Sequence, residues 1–119
     1  MKAEPPYDSR DGVTLGRVQV DKKFTGPLTA TSVVHMLACE TPVATSAGYT
    51  AIERLEGTLG GKKGSFVLQH NGVSRKGVQS NSVTVVPDSG TGELKGLSGS
   101  MRIAVINGKH EYEFDYDFA

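Results

Sequence analysis

The 119-residue chain has no tryptophan, a single cysteine, and no apolar run near the length of a membrane helix. Each shortage excludes something. Cys39 alone cannot form an internal disulfide, so an oxidising compartment is not required. A spanning helix needs roughly 18 apolar residues in a row, and nothing here approaches that. The first twelve residues, "MKAEPPYDSRDG", lack the apolar centre of a signal peptide. An excess of one charge is missing too. Thirteen basic and thirteen acidic side chains cancel to a formal zero, which gives no electrostatic case for nucleic acid or an anionic membrane. Three histidines without H-x-H or C-x-x-C spacing give no ligand set, so neither a metal nor any other cofactor is expected. A soluble cytoplasmic protein is the expectation. A chain near its isoelectric point also invites self-association, so a homo-oligomer is expected.

Helical periodicity is scarce as well. What recurs is alternation, the mark of half-buried strands. Residues 1–12 read as a polar leader and 13–119 as one domain. Strands are predicted over Val13–Phe24, Leu28–Glu40, Tyr49–Leu59, about Ser65–Gly72, Asn81–Pro87, Leu97–Ile106 and His110–Ala119. "DSGTGELKG" reads as turn chemistry with a short helical turn. Asn107-Gly108 is a strong hairpin signal. In the last strand His110, Tyr112, Phe114, Tyr116 and Phe118 alternate with Glu111, Glu113, Asp115 and Asp117, so one face is covered and the other wet. Meandering antiparallel strands of this number predict an all-β fold, a single closed barrel of about eight strands. Closure removes aggregation-prone edges.

"GTLGGKKGSFVLQHNG", Gly57–Gly72, has the glycines and lysines of a phosphate loop but not their order. Strand residues follow it, so no helix N-terminus is available to an anion. Gly60-Gly61 instead supplies positive φ for a hairpin. Counting outward from that turn sets Glu53 near Leu68 and Ala51 near His70. Tyr49, Ala51, Glu53, Leu55, Phe66, Leu68 and His70 then share one mostly apolar face, with Glu53 and His70 as polar intruders. A carboxylate beside an imidazole in a dry interior can do general acid/base work. It can equally be a buried structural pair. Tyr49 and Tyr112 are candidate phenol donors to a ligand. His110 and Phe66 are candidate lining residues. Against each stands the plainer role of core or interface residue.

Other motifs carry less. His35 and Cys39, four apart on a strand, share a face about 13 Å from each other, too far for a common metal or a nucleophilic pair. "GLSGS" lacks the strand-turn-helix setting of a nucleophile elbow. "DSGTGE" lacks the spacing of a calcium loop. The acidic row of the last strand reads as a solvated side.

"YTAIERLEGTLGGKKGSFVLQHNG", then "VVPDSGTGELKGLSG", then "HEYEFDYDF" resemble, in that order, the bacterial family known as domain of unknown function 3224. The resemblance runs from Val13 to Phe118. That family is in turn distantly similar to allene oxide cyclases and dirigent proteins. This implies a small eight-stranded antiparallel barrel that self-associates and holds an apolar molecule in its lumen without a cofactor. Two functions are therefore expected. One is a cofactor-independent isomerase, cyclase or lyase on a small apolar molecule, with Glu53 and His70 handling the proton. The other is a non-catalytic barrel binding a small hydrophobic ligand.

Overall fold

The computed structural model describes the backbone of residues 2–106 and 109–119, with side chains for all of these except 104–106, 109 and 110. The chain is all antiparallel sheet. Its strands are β1 (Lys2–Ala3), β2 (Asp8–Arg10), β3 (Val13–Phe24), β4 (Leu28–Glu40), β5 (Ala47–Leu59), β6 (Lys62–Arg75), β7 (Val78–Val85), β8 (Leu97–Ile106) and β9 (Lys109–Phe118). One 3-10 turn, Gly92–Leu94, precedes β8.

From β3 to β9 each strand pairs with the next, while β1 and β2 pair with the free edge of β3. The segment expected as a leader thus carries two short strands, split at Pro5-Pro6. Proline offers no N–H to a ladder, so the pairing breaks there. The predicted β5–β6 register is the one observed: Glu53 is opposite Leu68, Ala51 opposite His70, and Leu59 opposite Lys62. Gly60 and Gly61 close that hairpin with φ of 57° and 83°, as a primed two-residue turn requires. In β8–β9, Ile106 stands opposite Lys109. The Asn107-Gly108 pair expected to make that turn lies outside the described residues.

The expected closed barrel is not what the pairing builds. Among the described residues no ladder joins β9 to β3 or to its short partners. A geometric reason is available. Seven long strands in a meander leave the first and last running the same way, so closing them directly needs a parallel ladder. β1 and β2 have the right direction for an eighth strand, but they reach only residues 13–15, 18 and 19 of β3. The sheet rolls instead until side chains meet. Phe24 of β3 packs on Tyr112 of β9 with ring centroids 5.1 Å apart.

The core fills one end of the roll with Phe24, Ala30, Leu55, Leu59, Phe66, Leu68, Val83, Val85, Leu94, Leu97 and Met101. β7 pairs with β6 only from Leu68 onward. The lower edge of β6 is satisfied differently. The 86–96 segment lies along it, with Thr91 N donating to the Ser65 carbonyl (2.8 Å) and Val86 N to the Val67 carbonyl (2.9 Å). Among the described residues no helix is long and apolar enough to cross a membrane.

Candidate functional site

Alternation points every second residue of β3–β6 into the roll. The register then lines up four polar side chains on neighbouring strands. Lys22 on β3 is opposite Ser32 on β4. Ser32 is opposite Leu55 on β5, two residues from Glu53. His70 of β6 is opposite Ala51, two residues away on the other side. Glu53 is therefore the hub. Its Oε1 is 2.7 Å from His70 Nε2, and its Oε2 accepts a 2.5 Å hydrogen bond from the Ser32 hydroxyl. Lys22 Nζ is 3.7 Å from Oε1.

Glu53 is fully buried, and His70 is 6 % exposed. Burial pushes the Glu53 carboxyl up. Hydrogen bonds from His70 and Ser32, with the Lys22 and His70 charges, outweigh it and hold the group below the ordinary carboxylate range. Donors and positive charge favour the ionised form. With the carboxylate ionised, His70 Nε2 carries the proton and donates. The serine bonds the carboxylate rather than the imidazole, so this is not a Ser–His–acid nucleophile relay, in which histidine sits between the other two. The arrangement can hold or exchange a proton on His70; it does not activate Ser32.

The other candidates separate. Tyr49 points into the open end of the roll, 36 % exposed. Its ring lies across Gly72, where an added Cβ would overlap it, and it borders a hollow of about 140 Å³ with Gly72, Ser80 and Asn81. Phe66 is a core residue at 2 % exposure, stacked 5.9 Å from Phe114. The side chain of His110 lies outside the described residues. His35 faces outward, and among the described residues the Cys39 thiol has one hydrogen-bond contact, to the Glu40 carbonyl at 3.9 Å. Among the described residues no three His, Cys, Asp or Glu side chains group as metal ligands.

Tyr112 borders a pocket. This pocket of about 200 Å³ opens where the two ends of the sheet meet, lined by Phe24, Thr25, Pro27, Leu28, Leu59, Met101, Tyr112, Phe114 and Tyr116. Tyr112 and Tyr116 are 44 % and 41 % exposed, and they bring two phenols to its rim. Neither Glu53 nor His70 lines it, but the Lys22 ammonium lies 6.0 Å from the ring of Phe24, one of its walls. Sequence reasoning missed Lys22 and Ser32, and most of this lining. A two-residue count from Gly26-Pro27 sets Lys22 opposite Thr31, one residue short of the observed Lys22–Ser32 pair, so that turn does not disclose the pair as Gly60-Gly61 discloses its own.

A family model described as a protein of unknown function, DUF3224, matches residues 1–116. The chain belongs to the DUF3224 family. A crystal structure of a DUF3224 protein of unknown function from Shewanella oneidensis MR-1 is similar at 48 % identity and a TM-score of 0.94. The similarity covers 98 % of this chain and 88 % of that one. No curated protein matches the chain, so no activity reaches this DUF3224 member from a described relative.

Proposed function

We propose that this protein binds a compact apolar molecule, a single aromatic ring or something of that bulk, in the pocket between the ends of its rolled sheet. The pocket carries the reading. It is apolar on its walls, polar at its rim, and bounded by four aromatic rings. A dry cavity of about 150 Å³ accepts benzene, and the 200 Å³ here is of that order. It falls below the roughly 300–1,000 Å³ of drug-sized sites. Phenols at the rim suit a ligand with one polar substituent.

A second reading is favoured by the 2.7 Å contact between Glu53 and His70 and the nearness of Lys22 to the pocket wall. In it the protein is a cofactor-independent isomerase, cyclase or lyase on the same class of molecule. Glu53 and His70 move the proton, and Tyr112 or Tyr49 donates a hydrogen bond.

One titration separates the two. A single-ring phenol is titrated into wild type and into Thr25→Trp, Glu53→Gln and His70→Ala by calorimetry. The binding reading predicts saturable binding that Thr25→Trp abolishes at the pocket mouth and the other two leave within about twofold. Exchange of the phenol's ring protons with solvent deuterium, followed by NMR and lost in Glu53→Gln and His70→Ala with the fold intact by circular dichroism, favours the proton-handling reading. No binding by wild type removes both.

A further inference from the structure

The outer face of β3–β5 carries an arrangement that the pocket does not use. One row across it holds Gln19, His35 and Ile52. The row on one side holds Asp21, Val33 and Arg54, and the row on the other holds Arg17, Leu37 and Thr50. Val33, Leu37 and Ile52 are 38 %, 46 % and 49 % exposed. A single exposed apolar residue needs no explanation, but these three adjoin on one sheet face.

We infer that this face is the interface of a symmetric dimer of the chain. The rows are self-complementary. Consider a two-fold axis between two such faces, lying across the strands along the His35–Ile52 row. It exchanges the rows on either side. Arg17 then meets the partner's Asp21, Val33 meets the partner's Leu37, Arg54 meets the partner's Thr50, and each of these contacts occurs twice. Ile52 and His35 each meet their own copy on the axis. Arg17 and Asp21 pair opposite charges, Val33 and Leu37 pair apolar residues, and Arg54 meets the Thr50 hydroxyl rather than a like charge, as an isologous contact demands. Two hollows of about 740 and 540 Å³ flank the central row, and both are bordered by His35 and Ile52. They leave room for the partner's side chains to interdigitate at sheet-packing distance. The broad side of the molecule measures 48 by 30 Å, ample for the ~800 Å² per partner of a standard interface.

Sedimentation equilibrium of the full chain at micromolar concentration tests this. The expected mass is twice 12.6 kDa. Ile52→Glu, outward-facing and so compatible with the fold, gives a monomer. Arg17→Asp weakens the dimer at least roughly tenfold, and the exchange Arg17→Asp with Asp21→Arg restores it, because each lost pair is rebuilt with its signs reversed. A monomeric wild type, any other stoichiometry, or a dimer indifferent to Arg17→Asp overturns the inference. Should Ile52→Glu fail to fold, the Arg17 and Asp21 variants decide alone.

Discussion

Glu53 is the residue on which the interior turns. A fully buried carboxylate survives only with partners, because desolvation of a lone charge costs far more than a fold can spare. Ser32, His70 and Lys22 supply them from three strands. Removing the carboxylate takes the acceptor away from both the buried Ser32 hydroxyl and the buried His70 ring N–H. Glu53→Ala is therefore expected to cost about 2–6 kcal/mol in chemical denaturation, roughly 1–3 for each group left unsatisfied. The lowered folded-state value of Glu53 also fixes a direction with pH. Its contribution is fully present above the unfolded value of about 4.3 and is lost as pH falls through the folded one. Wild type thus loses stability on acidification below about pH 4.3, whereas Glu53→Gln loses distinctly less over the same range. Parallel acid dependence in denaturation midpoints of the two proteins would remove Glu53 from this role.

Among the elements, the 86–96 segment does more than turn the chain. The Ser65 and Val67 amides donate to Thr91 Oγ1 and Ser89 Oγ, each at 3.1 Å, so the segment substitutes for a strand along lower β6. Leu94 anchors it, at 1 % exposure. Leu94→Ala is expected to cost about 2–5 kcal/mol and to speed amide hydrogen exchange at Ser65 and Val67 ahead of that at His70. Uniform acceleration across β6 would contradict the local role. This element also marks what the sequence could disclose. β9 was legible because its aromatic and acidic residues alternate without a break. The β5–β6 register was legible because Gly60-Gly61 fixes a count. "DSGTGELKG" has no periodicity, so its pairing to β6 depends on a tertiary approach that no local pattern encodes. Lys22 and Ser32 lay inside strands that were predicted, but their partnership with Glu53 needed a second register. In residues 1–12, Pro5-Pro6 hid two strands too short to show alternation.

At the scale of the whole molecule, the roll is longer than it is closed. Its radius of gyration is 15.7 Å, against about 13.5 Å for a compact chain of this length. The core occupies one end, while β3–β6 run on past it towards Tyr49 and Gly72. The seam, not the lumen centre, is where space and aromatic rings coincide. Closure was expected because alternation and strand count both suit a barrel. Alternation says nothing of strand direction at the two edges, and the odd number of long strands sets those edges parallel, which leaves the meander unjoined.

The most direct test of the seam as a ligand site is an NMR titration with a single-ring phenol, following methyl and aromatic resonances of the full chain. Saturable shifts concentrated on Leu28, Leu59, Met101, Tyr112 and Phe114 are predicted, with Val33, Leu37 and Ile52 of the outer face unmoved. Shifts absent from the seam, or centred on the outer face or around Tyr49, would contradict it.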